Sequence, residues 1–504
     1  MPHEQPNSIA LQGDSTVLVD IRPLLQRLWP DPAKENVTAQ EIAQAIALIF
    51  SNELSPVQTG SLLTALHFTG WDRRADVLVE ASAAMRRAAA EIDFESLKAV
   101  VAQRGRAEGR YNGGLCDIVG TGGDSHNTFN ISTTSSIIAS SFLLLAKHGN
   151  RASTSKSGSA DLLMSAQPQP AQLPRIKPST IADVYARTNY AFLFAPVFHP
   201  GMRYVAPIRR ELGWRTIFNL LGPLSNPVDD AIEARMLGVA RDDLGPVFAE
   251  ALRMSGASKG LVVCGREQLD EISCAGPTLC WQLIEEEGPS SPDSHKISIQ
   301  HFELTPADFG LSAHPLSTVS PGKEPRENAE ILRRILRGEL PPDDPILEFV
   351  LMNTAALFVV SGICEAETSS MGPGDDGQVV KERGPGGQRW KEGVRRARWA
   401  ITTGEAWRQW TRGSEVVTVR LWHEESFKIL LTMLTSTELP KPLLSCVQVP
   451  PNQPYRVLYR VNGPHGRDHH ELVRGRDRDL CHSVSSIDVP PKTPALPWSA
   501  DLPR

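Results

Sequence analysis

The run LCDIV at positions 115–119 ends directly in Gly120, and GTGGDSHNTFNIST follows without a break. A short apolar run delivered into a glycine-rich loop reads as a buried strand that hands the chain to a ligand-facing turn. The pattern recurs. FLLLA (142–146) precedes the basic stretch KHGNRASTSKSGSADLL, while ARMLGVA (234–240) and GLVVCG (260–265) read as further strands with helix-like segments between them. Strands alternating with helices predict an α/β domain on a mostly parallel sheet. Ligands of such sheets gather beyond the carboxyl ends of the strands, where both special loops fall.

The first hundred residues carry a helical period instead. Thr38 and Glu41 have capping-box spacing ahead of Ile42, Ile46 and Ile49, and Ser55-Pro56 restarts a helix that runs through Leu62 and Leu66. With a third helix near DVLVEASAAMRRAAAE, they predict a small helical domain over 20–108, after a polar leader at 1–19. The α/β domain is expected over 109–412. Within it STTSSIIAS reads as a helix capped by Ser132 or Thr133, and the proline-rich 167–178 and glycine-rich 365–388 read as inserted surface loops. Over 413–504 periodicity is lost, which predicts an atypical, poorly ordered tail without clear elements.

Composition narrows the partners. The 52 basic side chains are outnumbered by 58 acidic ones, a net charge of −6, which argues against a nucleic-acid backbone as the main ligand. Positive charge is local and suits a small polyanion. No run approaches the roughly 18 apolar residues of a membrane span. The amino-terminal stretch lacks a signal-peptide core, and the seven cysteines form no CxxC pair. These features predict a soluble, cytoplasmic protein with neither a disulfide framework nor a zinc site.

Four stretches are candidates for chemistry. Gly120, Gly122 and Gly123 strip side chains from the first loop so that backbone N–H groups can turn to an anion, and Asn130, Ser132 and Thr133 follow at a helix start. Lys147, His148, Asn150 and Arg151, then Ser155, Ser157, Gly158 and Ser159, make a second cradle. Asp270 and Glu271 in LDEIS are adjacent carboxylates after a strand, suited to a hard cation such as Mg²⁺. Arg203, Arg209, Arg210 and Arg215 lie across a helix-like segment, and spacing selects none of them. No HExxH or P-loop pattern occurs. The inventory fits group transfer from a phosphorylated, metal-bound donor, with no protein nucleophile or strong general base.

GTGGDSHNTFNIST, KHGNRASTSKSGSAD, RRELGWRTIFNLLGPLSNP and LDEIS, in this order, resemble the anthranilate phosphoribosyltransferases, the family of the second step of tryptophan biosynthesis. The similarity continues through ENAEILRRILRGE, VLMNTAALFVVSG and RWKEGVRRARWAITTGEAW, and covers roughly residues 20–412. It implies a small α-helical domain beside a larger α/β domain of the nucleoside phosphorylase/phosphoribosyltransferase type, usually as a homodimer. It implies transfer from 5-phosphoribosyl 1-diphosphate to anthranilate with Mg²⁺, and no membrane or nucleic-acid partner.

Carried over by motif, Gly120, Gly123, Asp124, Thr128, Asn130, Ile131, Ser132 and Thr133 match donor-binding positions. Lys147, His148, Gly149, Asn150, Ser155 and Ser159 match the second donor loop. Gly120, Asn150 and Arg209 match anthranilate contacts, and Ser132, Asp270 and Glu271 match metal positions. Ser153 stands where the family usually has an apolar residue, and the resemblance stops after about Thr411. The alternatives at this stage are a pyrimidine-nucleoside phosphorylase, a nucleic-acid-binding paralogue without catalysis, and an inactive scaffold subunit.

Overall fold

In the computed structural model, which describes residues 18–30, 36–152, 156–166, 173–286, 296–319, 324–415, 455–462 and 468–475, the early capping signals fall at helix starts. The first helices are α1 (Arg22–Leu28), α2 (Ala39–Phe50), α3 (Pro56–Thr69), α4 (Ala75–Arg87) and α5 (Phe94–Arg104). Thr38 Oγ1 accepts the Glu41 N–H at 3.2 Å while Glu41 accepts the Thr38 N–H at 3.0 Å. The Ser55 hydroxyl likewise accepts from Gln58. Ile42, Ile46, Ile49, Leu62 and Leu66 are buried in one core with Leu237 and Val262. Each such side chain contributes about 1.5–3 kcal/mol on burial.

The sheet contains β1 (Leu115–Gly120), β2 (Leu144–Gly149), β3 (Tyr190–Phe194), β4 (Ile232–Gly238), β5 (Lys259–Gly265), β6 (Thr278–Glu286) and β7 (Lys296–Leu304). Its order is β3-β2-β1-β4-β5-β6-β7, parallel from β3 to β5 and antiparallel through β6 and β7. Strands β3, β6 and β7 are not among the sequence expectations. The second strand also runs later than FLLLA. Lys147 and His148 belong to it, paired with Phe192 and Leu193 of β3, and both side chains are buried.

The remaining helices are α6 (Ile131–Ala139), α7 (Ser159–Ser165), α8 (Ile181–Tyr185), α9 (Ala195–Phe198), α10 (Met202–Leu212), α11 (Phe218–Leu221), α12 (Leu244–Met254), α13 (Leu316–Val319), α14 (Pro325–Leu336), α15 (Pro345–Ser361), α16 (Trp390–Thr402) and α17 (Glu405–Glu415). Residues Leu347–Ser361 of α15 are all buried, and the helix packs on α6, α16 and β4. The N-cap of α6 is Asn130, with no side-chain cap bond, and neither Ser132 nor Thr133 caps it. The 365–388 segment is largely exposed yet fastened, with Arg383 paired to Glu365, Lys381 to Glu367 and Asp375 to Arg395.

The leader through residue 17, residues 167–172 and most of the tail lie outside the described residues. The chain divides into two units, Met1–Trp422 and His423–Arg504. In the second, β8 (Tyr455–Asn462) pairs antiparallel with β9 (Asp468–Gly475), from Tyr455↔Gly475 to Asn462↔Asp468. The expectation of no element there is corrected. YRVLYRV is rich in β-formers, and the proline and glycine residues around it mask that signal.

Candidate active site

Strand β1 lies between β2 and β4, the point where strand order reverses and a crevice opens at the carboxyl ends. Gly120 and Gly238 are register partners at that end of β1 and β4. Both abut Asp270 from the loop after β5. A methyl group on Gly120 would stand 2.3 Å from Asp270 Oδ2, and one on Gly238 1.6 Å from the Asp270 carbonyl oxygen. Only glycine permits so close an approach.

The loop after β1 is tied to the acidic loop at two places. Gly122, at φ +65°, donates its N–H to Asp270 Oδ2 at 2.6 Å, and Thr128 Oγ1 donates to Glu271 Oε2 at 3.3 Å. Between them Asp124 Oδ1 accepts the His126 N–H. Gly123 lies under the Arg215 guanidinium, which reaches the Thr121 carbonyl.

Asp124, Asp270 and Glu271 therefore crowd together. Burial and then the Asp124 charge push the Asp270 carboxyl up to about 7. Burial, Asp270 and Asp124 push Glu271 well above the usual carboxylate range. Arg215 supplies the opposing positive charge, and its own burial disfavours that charge. Crowded oxygens short of positive charge match a hard divalent cation. Among the described residues no three His, Cys, Asp or Glu side chains form a ready cage. That donor set fits Mg²⁺, which is ordinarily held by one or two carboxylates together with substrate phosphates.

At the start of α6, Asn130 spends its side chain on the second loop. Its Nδ2 donates to the Ser157 carbonyl at 2.8 Å, and its Oδ1 accepts from Ser157 Oγ and Asn328 Nδ2. In the first turn of α6 the buried Ile131 donates its N–H to the Phe129 carbonyl at 2.7 Å, while the turn has no side-chain cap, which leaves amides at Ser132 and Thr133 that suit an anion. Thr133 Oγ1 donates to Ser159 Oγ at 2.8 Å, joining the two loops again.

Lys147 is 2% exposed and its Nζ donates to the His148 carbonyl. Burial lowers its pKa, while Asp117 and Asp270 favour its charge. Asp117 is itself held by Asn226 Nδ2 at 2.9 Å. Burial keeps His148 neutral beside the His199 ring, 5.1 Å away. Gly149 packs on the Phe192 ring. Asp161 Oδ2 accepts the Ala152 and Gly158 N–H groups, so amides expected to face an external anion are closed by the chain's own carboxylate. Ser155 lies outside the described residues.

Arg209 stands on α10. Its Nη2 donates to Asn219 Oδ1 at 3.2 Å, and that oxygen also accepts the Thr216 N–H. Among the described residues no carboxylate pairs with it. Burial and the Arg215 charge both disfavour its own charge, so an incoming carboxylate is well matched. Asn150 is exposed, its bonds run to its own loop and Ala160, and no contact joins it to Arg209 among the described residues. Gly238 and Asn353 escape sequence reasoning, and Arg215 is named by it without being selected. Only contacts across the fold reveal them.

Residues 22–89 match the helical bundle domain, and residues 112–407 the a/b domain, of the Glycosyl transferase family. A curated relative, anthranilate phosphoribosyltransferase of Schizosaccharomyces pombe, is 42% identical over 343 residues, 68% of this chain and 87% of that protein. The chain belongs to the anthranilate phosphoribosyltransferase family.

The Saccharomyces cerevisiae relative is 35% identical over 70% of this chain and 83% of its own length. Its solved structure in complex with PRPP and Mg is similar at a TM-score of 0.61 and 30% identity, covering 78% of this chain and 96% of that one. A structure with 4-fluoroanthranilate gives a TM-score of 0.60 over the same shares. The helical domain and larger, mostly parallel α/β domain are those of anthranilate phosphoribosyltransferases.

Proposed function

We propose that this site transfers the 5-phosphoribosyl group from 5-phosphoribosyl 1-diphosphate to the amine of anthranilate, the second step of tryptophan biosynthesis. Products are N-(5-phosphoribosyl)anthranilate and pyrophosphate. The observation that carries the reading is the lock between the glycine loop and the acidic pair, Gly122 N–H on Asp270 at 2.6 Å. It supports a phosphate cradle and a cation site side by side at the switch point.

Asp270, Glu271 and the Ser132 hydroxyl would hold Mg²⁺. When bound, the metal supplies charge neutralisation on the leaving pyrophosphate. The uncapped α6 amides and Lys147 receive the donor's negative charge, with Gly120, Gly123, Asp124, Thr128, Asn130, His148, Gly149 and Ser159 shaping the cradle. Arg209, fixed by Asn219, receives the anthranilate carboxylate and turns the amine toward the ribose. The N–C1 bond forms as C1–O breaks, and the amine proton leaves to solvent. An aromatic amine needs no strong base.

The test is loss of anthranilate fluorescence on mixing protein, donor and Mg²⁺. Turnover of a pyrimidine nucleoside with phosphate in its place would favour the phosphorylase reading instead. Arg209→Lys is expected to raise the anthranilate KM about 10–100-fold with a smaller change in kcat, since the planar fork is lost. An unchanged KM places the carboxylate elsewhere.

The homodimer reading is supported by the outer face of α1 and α3. Val57, Phe68 and Trp29 are 78%, 62% and 58% exposed, and line a groove of about 980 Å³ with Leu25 and Leu212. Trp29→Glu/Phe68→Glu is expected to turn a dimer into a monomer in sedimentation velocity. No described helix is long and apolar enough to cross a membrane, and the five described cysteines are free and buried, which supports a cytoplasmic setting.

A further inference from the structure

The acidic loop between β5 and β6 brings Asp270 and Glu271 up to Asp124 of the loop after β1, and its own residues do little to fix Glu271. Asp270 is wedged against Gly120 and Gly238. Glu271 has the Thr128 hydroxyl at 3.3 Å. The residue that follows it is gripped from a distant part of the chain. Asn353, 1% exposed in the middle of α15, accepts the Ile272 N–H on its Oδ1 at 3.0 Å. Its Nδ2 donates to the Ile272 carbonyl at 3.2 Å and to the Phe349 carbonyl at 3.0 Å.

One planar amide thus holds both main-chain groups of Ile272, much as a neighbouring strand would. Asparagine is a poor helix former, and a buried amide is costly unless bonded. Packing of α15 gives no reason for it, since its neighbours Leu351, Met352, Ala355 and Ala356 are buried and apolar. Thr354, the next residue, shows the contrast. It satisfies its hydroxyl within its own helix, on the Val350 carbonyl at 2.8 Å.

We propose that Asn353 is a positioning residue for the metal end of the site: by clamping Ile272 it fixes how Asp270 and Glu271 present their oxygens to Mg²⁺, without touching metal or substrate itself. The inference rests on the assignment of Asp270 and Glu271 as the metal pair. It is read by thermal unfolding with 5-phosphoribosyl 1-diphosphate at fixed concentration and Mg²⁺ titrated, scoring the Mg²⁺ concentration that gives half the rise in Tm.

Asn353→Ala is expected to raise that concentration about 10–100-fold, the usual effect of removing a partner behind a metal ligand. The anthranilate KM should stay within about twofold. Thr354→Val removes a buried bond from the same helix and should lower the starting Tm while leaving the half-point unchanged. Asp270→Ala/Glu271→Ala serves as the reference and should lose the Mg²⁺-dependent rise. If it keeps that rise, the assignment of the metal pair fails. If it loses the rise but Asn353→Ala keeps the wild-type half-point, the assignment stands and the role of Asn353 is overturned. Should Asn353→Ala not fold, Asn353→Asp decides. It keeps the acceptor for the Ile272 N–H and lacks the donor for its carbonyl, so it should move the half-point the same way, and an unmoved half-point overturns the proposal.

Discussion

Replacing both members of the acidic pair, Asp270→Ala/Glu271→Ala, is expected to cut Mg²⁺-supported consumption of anthranilate by about 10²–10³-fold. That is the usual consequence of losing a preorganised group that stabilises developing charge. The anthranilate KM should move little, because Arg209 and its Asn219 support are untouched. Stability should not suffer, since the pair is uncomfortable without a cation: burial raises both carboxyls, with the Asp124 charge adding to it at Asp270 and the Asp270 and Asp124 charges at Glu271. Steady-state rates over a Mg²⁺ series, with melting curves on the same samples, check all three statements. A double variant within threefold of wild type (about 0.7 kcal/mol in barrier) would remove Asp270 and Glu271 from the reaction.

Gly238→Ala should be nearly as damaging although residue 238 carries no functional group. The added methyl would lie 1.6 Å from the Asp270 carbonyl oxygen and 2.4 Å from its carbonyl carbon. Both are backbone atoms, so no rotamer change relieves the clash and the acidic loop must retreat. Misplacing a reacting group by about 1 Å is worth roughly 10²-fold in rate. Overpacking costs about 1–3 kcal/mol in stability. Gly276→Ala is the control, because nothing lies within 4 Å of its added methyl and its φ is not in the left-handed region. It should leave both rate and melting temperature unchanged. Equal rates for the two variants would mean that the contact between β4 and the acidic loop is not needed for turnover.

How much of this is legible in the sequence follows from what each feature depends on. Strands β1, β2, β4 and β5 are largely covered on both faces and so read as mostly apolar runs, interrupted by Asp117 in β1, Lys147 and His148 in β2, and Glu233 and Arg235 in β4. Antiparallel β6 and β7 lie at the other end of the sheet, and half of β7 is solvated. KISIQHFEL accordingly carries a blurred pattern. The caps at Thr38 and Ser55 are local and read correctly, whereas the cap of α6 does not. Asn130 is drawn away to Ser157 and Asn328, and no local rule anticipates that.

The candidate site divides the same way. Its glycine loop and acidic pair are contiguous motifs. The residues that assemble them are not: Asn353 acts on Ile272 from 81 positions away, and within its own stretch it is a polar letter in a mostly apolar helix that also buries Glu348 and Thr354. Arg215 is one of several arginines until the fold lays it over Gly123.

Arg209 and the acidic pair reach the crevice from different directions. Arg209 rides on α10, which packs on α2 and α3, while Asp270 and Glu271 hang from the sheet and are braced by α15. On the roles proposed for them, acceptor choice and donor handling are mounted on separate supports. The α10 side can be reshaped for other aromatic amines, by selection or by design, while the side that handles the departing pyrophosphate is left as it stands. A change of substrate in such a fold is a change of one wall.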